Sequence, residues 1–256
     1  MSGDRLLPQL LVRVAGQNVD VAAATAVGFA VEEAARTVAA RFGPPADSVF
    51  VTDLDGRPTV VQRGVAGFRF LLMSRPLADL GDPFAVSDRF PPDWSARGEL
   101  PHLEWPDEPL PRRTVGELQT VLKGSDGPLL LGAAQALLDG GRVRLGDPAD
   151  VRKVWALLPD RTRAELRPAT FAPDDALGFH LSAGPPVATP GVLHADQCRD
   201  YPEGRYELAL QLAVEGGDQA ELDRLLARRS SRDTLRLAAT MVGLAVGGAV
   251  ILKLVG

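Results

Sequence analysis

The last stretch of the chain, Leu235 to Gly256, constrains the fold most. It reads LRLAATMVGLAVGGAVILKLVG, with Arg236 at its start and Lys253 near its end. The sixteen residues between those charges are all uncharged. As a helix they extend about 24 Å, slightly short of the ~30 Å hydrocarbon core of a bilayer. The stems of Arg236 and Lys253 reach toward the interfaces, which helps a short segment span. The segment reads as a transmembrane tail anchor over residues 235–256, with Leu237, Met241, Gly243, Gly247, Val250 and Leu252 in lipid. Gly243 and Gly247 have the GxxxG spacing that lets two helices approach closely, so the tail is also a route to a homodimer. A buried core helix tolerates all-round apolarity too, but paired glycines (Gly247, Gly248) fit it less well. A third reading has the last helix fold into a partner.

The flank supports an orientation. Arg224, Arg228, Arg229, Arg232 and Arg236 precede the apolar run, with Asp223 and Asp233 the only acids among them. A basic flank belongs on the cytoplasmic side, which puts the folded part inside the cell at the membrane. The simpler alternative is a solvated arginine face. At the other end, MSGDRLLPQLLVRVAG has no long apolar core, so no signal peptide is expected. A net charge of −5 gives no general case for nucleic acid. Cys198 is alone, which excludes an intrachain disulfide and fits a reducing compartment.

Residues 8–76 change period in a definite order. Gln9 to Val14 alternates as a strand, Gly16-Gln17-Asn18 is turn chemistry, and Val19 to Thr25 returns as a second strand. Val31, Ala34, Ala35, Val38 and Phe42 fall on one helical face, stopped by Gly43-Pro44-Pro45. Ser48 to Val51 is a strand running to the turn at Asp53-Leu54-Asp55-Gly56; Thr59 to Val61 and Phe68 to Met73 are further strands. On LLVRVAGQNVDV, VEEAARTVAARFGPPADSVFVTDLDGRPTVV and FRFLLMSRP, this order resembles the ubiquitin-like β-grasp fold, which implies one helix across a mixed sheet. Ser74-Arg75-Pro76 stands where such a module would carry a terminal Gly-Gly, so the resemblance implies a docking surface rather than conjugation.

Residues 77–112 are a proline-rich connector, expected to be extended and, with Trp94 and Trp105, to lie against a domain surface. A proline-rich ligand for an SH3-like partner is the sharper alternative. Residues 113–230 read as an α/β accessory domain. Helices are expected from Thr114, Pro128, Ala149 and Pro159, a strand at Arg142 to Leu145, and an extended run at Ala176 to Leu181. A helical hairpin follows over 203–229, with Tyr206, Ala209, Leu210, Ala213 and Val214 lining its first helix. Asp218 and Glu221 make a capping-box-like start for its second. The stretches LLGAAQALLDGGRV, VRKVWALLPDRTRAELRPATF, ALGFHL and RYELALQLAVEGGDQAELDRLLARRSSRDTLRL resemble the GTPase-associated proteins of bacterial conflict systems. That resemblance implies an accessory or adaptor role beside a GTPase or ATPase system component and transfers no catalytic residue.

The strongest enzymatic alternative is a metal-dependent phosphohydrolase. Val49 to Gly56 resembles the strand-DxDG nucleophile motif of haloacid dehalogenase-like enzymes, with Asp53 and Asp55 as the carboxylates. Ser74, Lys123 and Gly146-Asp147-Pro148-Ala149-Asp150 are its further motifs. Arg57 stands where that family has a threonine, and about eighteen residues between Asp55 and Ser74 leave little room for a crossover helix. The two readings separate on geometry: the enzyme needs Asp55 and Asp147 in one cleft, whereas a hairpin leaves Asp55 at its tip. His194 and Cys198 are four apart but would need distant partners, His102 and His180 being the other histidines. No GxxxxGK[ST], G-x-S-x-G or HExxH occurs. The expectation is therefore an α+β, non-catalytic, tail-anchored adaptor with protein partners, no nucleic acid, and no assigned cofactor or metal.

Overall fold

The computed structural model describes residues 7–15, 18–25, 27–42, 47–64, 67–73, 82–90, 100, 103–104, 112–124 and 126–227. β1 (Gln9–Ala15) and β2 (Asn18–Ala24) pair antiparallel, with Ala15 opposite Asn18. α1 (Phe29–Phe42) buries Val31, Ala35, Ala39 and Phe42, the three- and four-residue spacing of one helix face. β3 (Ser48–Leu54), β4 (Arg57–Gly64) and β5 (Gly67–Leu72) follow as a meander, and β5 lies beside β1.

The order is β2-β1-β5-β4-β3, and all four pairings are antiparallel. The mixed sheet expected within residues 8–76 is therefore not formed there. Short turns join β3 to β4 and β4 to β5, and tight connections make antiparallel neighbours. β5 lies antiparallel beside β1, with Leu10 opposite Phe70.

β5 is buried at all six residues because both faces are covered. On one face Phe42 stacks on Phe50 at 4.6 Å, and Phe68 meets Phe42 edge-on at 5.6 Å. On the other, Val51, Val60, Leu71 and Met73 pack with Val86 of α2 (Pro83–Arg89). This helix interrupts the connector expected to be extended. Asp82 accepts from the N–H groups of Phe84 and Ala85, and Pro83 takes the first-turn position where a backbone N–H has no intrahelical partner. Within residues 77–112, Leu103 packs on the same cluster, and its carbonyl accepts from Leu7 N–H at 3.0 Å. Trp94 and Trp105 lie outside the described residues.

The second half adds α3 (Val115–Lys123), α4 (Gly127–Leu138), β6 (Arg142–Leu145), α5 (Pro148–Leu157), α6 (Asp160–Glu165) and β7 (Pro168–Ala169). β8 (Leu181–Ala183), β9 (Val192–His194), α7 (Ala195–Arg199), α8 (Arg205–Gly216) and α9 (Gln219–Leu226) complete it. Ala176 and Leu177 form a turn and Gly178 to His180 are not strand; the strand starts at Leu181. β7, β8, β6 and β9 are parallel neighbours, and β7 pairs antiparallel with β3 through Phe50 and Ala169. One nine-stranded sheet thus runs through both halves. Side chains reinforce the joint: Ser48 Oγ donates to Phe171 O at 2.8 Å, and Val49 N–H donates to Thr170 Oγ1 at 2.9 Å. Among the described residues the protein is a mixed α+β fold with nine strands and nine helices.

α8 and α9 form the expected hairpin. Gly217 ends α8 in a left-handed conformation (φ 72°), which glycine adopts without a Cβ clash, and Asp218 accepts from Glu221 N–H to start α9. Among the described residues no helix is long and apolar enough to cross a membrane. The anchor residues Leu237, Met241, Gly243, Gly247, Val250 and Leu252, and the flanking Arg228, Arg229, Arg232 and Arg236, lie outside the described residues.

Candidate functional site

Four helices leave one cleft of about 620 Å³ between them. α3 brings Gln119, Leu122 and Lys123; the start of α4 brings Gly127, Pro128 and Leu131. The segment from α7 to α8 contributes Arg199 to Glu203, and α8 itself contributes Glu207, Gln211, Val214 and Glu215. Local sequence explains the opening. Asp126 caps α4 by accepting from Leu129 N–H at 3.2 Å, so α4 starts sharply after α3 ends. Gln119 Nε2 donates to Val214 O at 2.7 Å, holding α3 against α8 at the back of the cleft.

The floor is apolar and the rim acidic. Val214 and Leu131 are buried and Leu122 half-buried, while Asp200, Glu203 and Glu215 are exposed. Two cations line the cleft, and one is already engaged: Arg199 donates to Asp126 Oδ2 through Nε at 2.9 Å and Nη2 at 2.6 Å. Those bonds hold the Asp126 carboxyl below the usual carboxylate range. Lys123 stands against four carboxylates, Asp200, Glu203, Glu207 and Glu215. Glu207 is buried, and burial pushes its carboxyl up; its Oε2 accepts from Gly204 N–H. Tyr201 donates to Asp139 Oδ2 at 3.2 Å, and burial followed by the Asp139 charge raises its phenol.

Beside this cleft, α8 carries an apolar stripe that no core explains. Leu208 is 45% exposed and Leu212 70%, whereas Tyr206, Leu210, Ala213 and Val214 point inward. At about 100° per residue, Leu208 and Leu212 follow Glu215 around the helix, on the rim side away from the core. With Phe29, they are the large hydrophobics most exposed among the described residues.

The residues considered for phosphoryl chemistry sit elsewhere and serve as turn and cap. Asp55 (φ 55°) and Gly56 (φ 75°) form the two-residue tip of the β3–β4 hairpin, and Asp53 Oδ1 accepts from Gly56 N–H at 2.8 Å. Two consecutive positive φ values are the type I′ geometry for which Asp-Gly is a preferred pair. Asp147 caps α5, accepting from Ala149 N–H at 2.8 Å, and Asp150 pairs with Lys153. β3 and β6 are separated in the sheet by β7 and β8, so the hairpin and the Asp147 cap belong to different strand ends. Lys123 alone of that set lines the cleft; Ser74 lies outside the described residues.

His194 and Cys198 do not converge either. His194 precedes α7 with Nε2 3.0 Å from Val187 O, and Cys198 is fully buried, its thiol pushed up to about 11 by burial. His180 Nδ1 accepts from Arg167 N–H at 3.0 Å. Among the described residues no group of three or more His, Cys, Asp or Glu side chains is placed to hold a metal.

The cleft was not read from the sequence, but part of its signal was there. RYELALQLAVEG carries leucines at positions 208 and 212 besides the inward set, too many apolar faces for a helix with one core side. The acids come from separate segments that only the fold brings together. No family model matches the chain, and no curated protein matches it.

Proposed function

We propose that the chain is a non-catalytic adaptor, held at the cytoplasmic face of a membrane by residues 235–256 and presenting a protein-docking surface. The observation that carries the reading is the exposed Leu208–Leu212 stripe at the edge of the cleft. An apolar pair beside a concave, partly apolar site is typical of a surface completed by another protein. Asp53 and Asp55 serve the hairpin turn, which supports a docking role over phosphoryl transfer. The basic and then apolar composition of residues 228–256 supports the tether. A tether converts weak docking into effective binding by raising local concentration.

The resemblance of residues 113–230 to accessory proteins of bacterial conflict systems makes a component of a GTPase or ATPase system the expected partner. The ubiquitin-like likeness of residues 8–76 is kept at the level of element order, since β1 and β5 run antiparallel. GxxxG in the tail supports a homodimer within the membrane.

Membrane fractionation with an alkaline carbonate wash tests the tether. The full chain stays in the washed pellet, and a chain ending at Ser230 is recovered in the supernatant. Release of the full chain as a folded soluble species would overturn the anchor and the localisation built on it.

A further inference from the structure

We infer that the cleft takes a basic amphipathic helix from a partner protein, apolar side chains on the floor and lysines or arginines on the rim. The inference rests on the adaptor reading and names the chemistry of its partner.

Three observations converge. The first is length. From Glu207 to Glu215 the α8 wall runs about 12 Å, just over two helical turns, enough to meet partner residues at i, i+3 or i+4, and i+7. The second is the alternation of apolar and acidic surface. Leu122, Leu131 and Val214 line the floor, Glu215 stands on the α8 rim, and Leu208 and Leu212 are exposed further around α8, beyond that rim. Apolar side chains thus stand on both sides of an acidic edge, which an amphipathic helix with basic flanks can match.

The third is charge. Asp200, Glu203 and Glu215 are exposed at the cleft, while Arg199 is already taken by Asp126. Desolvating those carboxylates against an apolar or acidic ligand is unfavourable, and against a basic one the field is complementary. Complementary rim charge steers association and excludes acidic competitors.

The test uses an 18-residue helical peptide with leucines at a 3-4 spacing and lysines on the flanks, and its twin with glutamates for the lysines. Both are titrated by fluorescence anisotropy into the full chain in nanodiscs at 150 mM salt. The lysine peptide binds at least tenfold tighter than its twin. Asp200→Lys/Glu203→Lys/Glu215→Lys reverses that preference, and Leu208→Ser/Leu212→Ser weakens the lysine peptide at least tenfold. A variant with the same charge change elsewhere, Glu32→Lys/Glu33→Lys/Glu165→Lys, keeps the original preference. Circular dichroism and thermal unfolding of each variant establish that it is folded.

Equal binding of the two peptides, or insensitivity to the cleft reversal, overturns the inference. So does binding that appears only once the chain ends at Ser230, which would make the chain's own basic tail the occupant. A chain that stays membrane-integral yet shows no charge-selective binding loses this inference and keeps the tether. Charge-selective binding by a chain that washes off membranes does the reverse.

Discussion

Gly132 lies within α4 where a Cβ would fall 2.0 Å from the carbonyl oxygen of Cys198. The neighbour is backbone, which cannot swing aside, so Gly132→Ala forces α4 and α7 apart. Overpacking of this kind costs about 1–3 kcal/mol, and the upper end is expected here in urea unfolding. The same contact seals Cys198, whose thiol is pushed up to about 11. Thiolate is the reactive form, so at pH 8 the native protein alkylates far more slowly than the urea-unfolded chain, measured by mass spectrometry with iodoacetamide. His180 makes a pH prediction. Burial first, then the charges of Arg167 and Arg142, hold its imidazole below the ordinary value, and Nδ1 accepts from Arg167 N–H. The unfolded state then binds a proton more readily than the folded one. The contribution is complete above the unfolded value of about 6.5 and is lost as pH falls from there through the folded value. Urea midpoints taken between pH 7.5 and 5 therefore decline more steeply in the parent than in His180→Gln, which has no titrating ring.

At the scale of elements, caps and turns decide most boundaries. Asp218 starts α9 by accepting from Glu221 N–H at 3.0 Å, and Asp218→Ala costs about 1 kcal/mol, read as a lower midpoint with unchanged m-value. Asp55→Asn at the β3–β4 tip leaves stability within a few tenths of a kcal/mol, because asparagine tolerates the left-handed conformation equally well. These features were legible in the sequence because each depends on residues within one turn of each other: Asp55-Gly56, and Asp218 with Glu221. The period of α1, α3 and α9 was legible for a related reason, since each has one apolar face. What escaped was set by distant partners. β7 is two residues long and exists because Ala169 meets Phe50, so no local pattern announces it. The direction of β5 depends on which strand it joins. α2 was hidden among prolines, although Asp82-Pro83 is itself a start signal. The cleft is of the second kind: its leucines come from α3 and α4 and its acids from the α7–α8 segment and α8, gathered only in space.

Over the whole molecule, the sheet makes the halves interdependent. Phe179, from the second half, meets Phe50 edge-on at 5.5 Å, and Ala169 and Ala172 join the same cluster as Phe42, Phe68 and Phe70. Phe179→Ala is expected to cost about 3–5 kcal/mol and to raise amide exchange in β1 and β5, far from it in sequence. A mutant whose exchange rises only near residue 179 would show the halves to be uncoupled. Another property concerns load. α9 is attached by Leu222, Leu225 and Leu226, and by Gln219, which receives Val115 N–H and donates to Arg113 O. A pull at Ala227 loads these attachments one after another from the end, whereas the sheet would share a force among many bonds. The eight residues of α9 would lengthen from about 12 Å to roughly 28 Å as they peel. The last attachment to yield, Gln219, sits at the root of α3, so α9 would act as a mechanical fuse between the proposed tether and the rest of the fold.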